Sequence, residues 1–230
     1  MARGGADLCA VTAPDDTYGY TANTGFGDRL ADDFTVPAGL RWNITGASFL
    51  GYTTNATTVT LKGATVRIFA APPSAGGTPL FGNTSTNRQT SAGWLGPTAV
   101  YRAVSTDPLN TQRRIEYSHS SFNVSLGPGT YWIDDALTST TGSVFSPPLS
   151  VIGGDAVPTG NALQYSGVEY GPMFDAYSGY LTGIPFQLFG TAQPIPEPTS
   201  FALAALGTAG WLVLGRRRNK PRPTCERPKS

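Results

Sequence analysis

Residues 122–135 read FNVSLGPGTYWIDD. Phe122, Val124 and Leu126 alternate with Asn123 and Ser125, the period-two pattern of an extended segment with one apolar face. Gly127-Pro128-Gly129 then breaks the ladder, because Pro lacks an N–H and Gly tolerates turn dihedrals. Beyond it Tyr131 and Ile133 alternate with Trp132. Two strands with a turn between them are therefore expected, and the same grammar recurs outward in both directions. TVRIFA sets Val66 and Ile68 against Arg67 and Phe69, AVYRAVS sets Val100, Arg102 and Val104 against Tyr101 and Ala103, and PFQLFG offers Phe186 and Leu188. DDFTVP, WNITGASFLGY, RRIEYS, LSVIGG and NALQY read as further strands, separated by PAG, PPSAGG and SPP.

Nine or ten such strands and no helical pattern before residue 199 make the body all-β. Its several long connections favour a two-sheet, jelly-roll-like sandwich over a meander. An immunoglobulin-like sandwich is the alternative, although the body is long for it and lacks a Cys…Trp…Cys framework. With 28 Gly, 19 Pro and only 13% charged residues, turns are frequent, while 40% hydrophobic content suffices for a core.

Charge is unevenly spread. Residues 216–230 hold seven Lys/Arg and one Glu; the rest holds nine Lys/Arg against fourteen Asp/Glu, which leaves −5. An acidic body argues against a nucleic-acid partner, since phosphate binding needs clustered cations. One histidine, His119, and two distant cysteines, Cys9 and Cys225, argue against zinc. His119 lacks a G-x-S-x-G nucleophile elbow, so no catalytic residue is assigned and the body is expected not to be an enzyme. Asp-rich loops can supply the hard oxygen ligands calcium prefers, and Asp15, Asp16, Asp32 and Asp33 are the candidate ligands of a structural Ca2+. Tyr165, Tyr170, Tyr177 and Tyr180 crowd one Gly-spaced segment, and exposed rings of this kind stack on sugars.

Near the C-terminus stand Pro196-Glu197-Pro198, an apolar stretch at 199–215 and then Arg216, Arg217 and Arg218. The 17-residue stretch is about the minimum for a single transmembrane helix across roughly 30 Å of hydrocarbon. The arginines hold their end on the cytoplasmic side, so the body is expected outside. This order of Pro-Glu-Pro, apolar helix and arginine cluster resembles the PEP-CTERM sorting signal of Gram-negative bacteria. The resemblance implies an exosortase as partner, the inner membrane as a transient anchor, removal of the helix near Pro196, Glu197 and Pro198, and a link to exopolysaccharide and biofilm matrix. The tail PRPTCERPKS runs on longer than is usual after such arginines. The phrases ADDFTVPAGLRWNITGASFLGY, VRIFAAPPSAGGTPLFGNTSTNR, GPGTYWIDD and GNALQY resemble uncharacterised exported bacterial β-domains, a likeness that brings no activity with it.

The chain thus divides into a leader remnant (1–6), the β-sandwich (7–190), a Pro-rich linker (191–198), the transmembrane helix (199–215) and a basic cytoplasmic tip (216–230). MARGGADLCA has no apolar signal-peptide core, so the true start is expected upstream. The precursor is expected in the inner membrane with its body in the periplasm, and the mature form at the cell surface or in the matrix. The expected role is a non-enzymatic module that binds or structures polysaccharide. The alternative is a glycoside-hydrolase-like enzyme with paired carboxylates on the same sandwich.

Overall fold

The computed structural model describes residues 16–148 and 160–196. Two sheets face each other. The larger has the order β11 (Tyr170–Pro172), β10 (Leu163–Ser166), β2 (Asp28–Val36), β8 (Gly129–Ser139), β4 (Leu61–Phe69), β5 (Phe81–Gly82). The smaller has the order β12 (Phe186–Pro194), β3 (Leu40–Gly51), β7 (Glu116–Leu126), β6 (Gln89–Trp94). A short pair, β1 (Tyr20–Thr21) and β9 (Phe145–Ser146), sits beside them. One 3-10 turn, Pro73–Ala75, follows β4. The all-β sandwich expected from the alternation is what forms.

The stretch at 122–135 shows how. β7 and β8 are joined by Gly127-Pro128 alone, yet they do not pair with each other. β7 joins the four-stranded sheet and β8 the six-stranded one, so the link is a corner that crosses between sheets. The Tyr131 hydroxyl donates to the Gly127 carbonyl at 3.1 Å and pins that corner. The links from β2 to β3 and from β3 to β4 also change sheets.

Alternation then fills the space between the sheets. Val66, Ile68, Ile133 and Leu137 of the larger sheet pack with Ile44, Ala47, Phe49, Phe122 and Leu126 of the smaller. Phe34 and Trp42 stack at 6.3 Å at its margin. Removing such surface from water is the main stabilising contribution, at roughly 25 cal/mol per Å². Glu116, fully buried at the start of β7, ties the two sheets together. Its carboxylate accepts the Thr60 N–H at 2.7 Å, the Leu61 N–H at 2.9 Å and the Thr60 hydroxyl at 2.9 Å. At Gly46 β3 bulges so closely against β7 that a Cβ would lie 2.4 Å from the Ser120 carbonyl oxygen.

Two sequence readings differ in detail, and a third is untested. AVYRAVS forms only isolated bridges, Tyr101 with Arg114 and Val104 with Asp107, and buried Arg102 donates to the carbonyls of Tyr18 and Thr17. β12 runs to Pro194, four residues into the stretch read as linker, while the compact body ends at Gln193. LSVIGG lies outside the described residues.

Candidate functional site

Register sorts the side chains of the larger sheet onto two faces. Asp134 lies opposite Ala31 on β2 and Arg67 on β4, while Asp135 lies opposite Leu30 and Val66. Arg29, Ala31, Trp132, Asp134, Arg67 and Phe69 therefore share the outer face, joined by Leu163 and Tyr165 of β10 and Tyr170 of β11. That face is not simply solvated. Ala31, Phe69 and Trp132 are buried there, with Leu163 and Tyr170 against them.

Asp134 is the hub of this face. It accepts Arg29 Nε at 2.6 Å, Arg67 Nε at 2.9 Å, Arg67 Nη2 at 3.2 Å and the Tyr170 hydroxyl. Arg29 also donates to the Thr65 hydroxyl at 2.7 Å, and Arg67 Nη2 to the Tyr170 hydroxyl at 2.5 Å. Arg67 on β4 and Tyr170 on β11 are four strands apart in the sheet order. Their contact requires the sheet to curl, so the outer face is concave. The Tyr165 and Tyr170 rings lie 5.0 Å apart at 47° on its rim. Burial raises the Tyr170 hydroxyl pKa, and the Asp134 charge and hydrogen bond add to it. Burial works against the Arg67 charge, but Asp134 more than offsets it and the guanidinium pKa is raised.

Tyr177 and Tyr180 lie elsewhere, on the turn 174–181. They are 65% and 56% exposed, with Phe174 and Leu181 exposed beside them. Sequence reasoning did not single out what holds this turn, the buried Asp175. Its Oδ1 accepts the N–H groups of Tyr177 at 3.0 Å and Ser178 at 2.8 Å, and the Ser178 hydroxyl at 2.9 Å. Its Oδ2 accepts the N–H groups of Asp16 at 3.1 Å and Thr17 at 3.0 Å. The Asp175 N–H donates to the Tyr180 carbonyl at 2.8 Å. An Asp followed three residues later by Ser is the local signal for such a turn. The four tyrosines thus fall at two separate places, the packed rings of Tyr165 and Tyr170 and the exposed turn that carries Tyr177 and Tyr180, and neither lies in the interior of the sandwich.

The described candidate calcium ligands, Asp16, Asp32 and Asp33, do not gather as a group. Asp15 lies outside the described residues. Asp16 accepts the Thr106 hydroxyl near the 174–181 turn. Asp32 is buried on the inward face of β2, where its carboxylate accepts the N–H groups of Ile184 and Asp33, both at 2.8 Å. Burial pushes its pKa up to about 6, against those two hydrogen bonds. Asp33, next along the strand, faces the other way. Among the described residues no three His, Cys, Asp or Glu side chains gather as a metal site requires. His119 lies on the outer face of the smaller sheet, between the rings of Tyr117 at 4.5 Å and Phe189 at 5.5 Å.

Of the sorting residues, Pro196 is exposed two positions beyond β12. Glu197, Pro198, the apolar stretch 199–215 and Arg216, Arg217 and Arg218 lie outside the described residues. Among the described residues no helix is long and apolar enough to cross a membrane. No curated protein and no solved structure matches the chain. The family model described as the PEP-CTERM protein-sorting motif matches residues 194–218, from the last residue of β12 through the third arginine. The chain therefore carries a PEP-CTERM protein-sorting motif, which implies an exported protein sorted and processed by an exosortase.

Proposed function

We propose that the exported sandwich is a non-enzymatic polysaccharide-binding module of the cell surface or extracellular matrix. Before processing, the inner membrane holds it by residues 199–215 with the body in the periplasm. The observation that carries this reading is the turn 174–181. An exposed aromatic group is costly in water unless it has a partner, and here Asp175 fixes the backbone that presents Tyr177 and Tyr180. A ring carried on a fixed backbone has less entropy to lose when a sugar stacks on it. The two aspartates whose pKa values burial raises into the neutral range, Asp32 and Asp135, face inward among apolar side chains, which supports binding over turnover.

The test is affinity electrophoresis of the full chain, purified in neutral detergent, through gels containing dextran, xylan or polygalacturonate. Retention without new reducing ends is expected on at least one polymer. The double variant Tyr177→Ala, Tyr180→Ala should weaken that retention about tenfold, from the loss of two stacking contacts. Absence of retention on all three polymers, or retention that the double variant leaves unchanged, would sink the proposal; new reducing ends would favour an enzyme.

A further inference from the structure

We infer that the concave outer face of the larger sheet is a second ligand site, selective for sugars bearing a carboxylate, with Arg67 as the recognising group and Tyr165 and Tyr170 as the platform. The inference rests on the glycan-binding reading and names a ligand class within it.

Arg67 is 19% exposed and has a fixed posture. Nε and Nη2 are bound to Asp134 and Tyr170, while among the described residues no hydrogen bond engages Nη1. Both N–H groups of Nη1 therefore remain free to donate. A guanidinium already held in place has less freedom to lose on binding a carboxylate, and its charge strengthens the bonds it makes.

Local charge has the right sign. Two guanidiniums, Arg29 and Arg67, meet one carboxylate, Asp134, so the hub carries one net positive charge. Asp33 lies on the same face, opposite Trp132, so the positive charge is local to the guanidiniums around Asp134. The residues ahead of the basic tip sum to −5, and general attraction of a polyanion is therefore absent; an acid must be recognised locally. Tyr165 donates its hydroxyl to the Gly167 carbonyl at 3.1 Å and makes no hydrogen bond to Asp134, so its ring serves as a platform that touches the hub only through the ring of Tyr170. On the β5 side, Arg67 is opposite Gly82, which has no side chain to shield it. A fixed guanidinium with Nη1 unengaged, beside paired rings, fits a pyranose ring whose apolar face stacks while its carboxylate is held.

Binding of a galacturonate oligosaccharide, its methyl ester and dextran to the full chain, by isothermal titration calorimetry in neutral detergent, tests this. The acid should bind at least tenfold more tightly than the ester, about the gain of one charge-assisted hydrogen bond. Arg67→Lys, which loses the fixed Nη1 donor but keeps the charge, should erase most of that preference. Tyr165→Ala should weaken acid and ester alike. Acetate at the same concentration should not compete, since it lacks the ring. Equal affinity for acid and ester, or a preference that survives Arg67→Lys in a folded variant, overturns the inference. If Arg67→Lys does not fold, unchanged affinity of Tyr165→Ala for the acid overturns it instead. Binding of dextran or the ester without preference for the acid removes this inference and leaves the broader reading standing; no binding to any polymer in either experiment removes both.

Discussion

Replacing Asp135 with Asn should remove a pH dependence that this fold builds into itself. Asp135 points inward from β8, with Leu30 and Val66 opposite it on either side. Burial pushes its pKa from 3.8 up to about 8; the adjacent Asp134 charge adds to the rise and Arg29 offsets part of it. Between those values the folded state binds more protons than the unfolded state. Asp135 therefore contributes stability that is fully present below about pH 4 and lost as pH rises through 8. One proton changes stability by at most about 1.4 kcal/mol per pH unit. Asp32, raised to about 6, does the same over a lower window, so the interval from pH 6 to 8 isolates Asp135. Two units set a ceiling of about 2.7 kcal/mol, and relaxation around the charge reduces it to about 1–2 kcal/mol. In a chain of this size that lowers the melting temperature by about 2–8 °C. Thermal unfolding of the full chain at pH 6, 7 and 8 and constant ionic strength, followed by near-ultraviolet circular dichroism, measures it. Asp135→Asn should be flat across the window and more stable than the native chain at pH 8. A native chain equally stable at pH 6 and 8, or an Asn variant that keeps the slope, refutes the reasoning.

Glu116→Ala leaves the Thr60 and Leu61 N–H groups without their acceptor and should cost about 2–4 kcal/mol in urea unfolding; a loss under about 1 kcal/mol would contradict its role in joining the sheets. Gly190→Ala places a Cβ 2.1 Å from the Asn43 carbonyl oxygen at a φ of 153°, so β12 should lift from β3 at a cost of about 1–3 kcal/mol. Hydrogen exchange in Phe186–Pro194 should speed up, and unchanged exchange there would show that β12 is held in some other way.

The alternation that identified the strands was legible because it is local. Phe122, Val124 and Leu126 must share a face in any extended chain, and two of them enter the core while Val124 packs at its edge. Pairing was not legible, because Gly127-Pro128 looks the same whether it closes a hairpin or turns a corner between sheets. What decides is which distant strand each neighbour meets, and β8 meets β2 and β4 across gaps in the sequence of many tens of residues. The failure at AVYRAVS has a related cause. The segment meets residues 113–115 through only two backbone hydrogen bonds, and Arg102, Ala103 and Val104 are all buried, with Arg102 donating to the carbonyls of Thr17 and Tyr18, so the alternation in its residue types does not mark a one-faced strand.

The sites show the same division between local and distant information. The Tyr-rich segment was visible, and Asp175 with Ser178 was a readable turn signal that went unused. The sorting motif was fully legible, since it is recognised as linear sequence. No spacing in the chain, however, connects Arg67 to Asp134 or Tyr170. Their meeting depends on a register set by β4 with β8 and on a curl that carries β11 back over the face. Composition even pointed the other way, because a body of net −5 reads as indifferent to acids. Net charge governs the field at a distance of several ångströms in salt water, whereas a guanidinium desolvated beside aromatic rings acts at contact. The ligand chemistry of this face is therefore set by one fixed arginine and not by the sum of the charges around it.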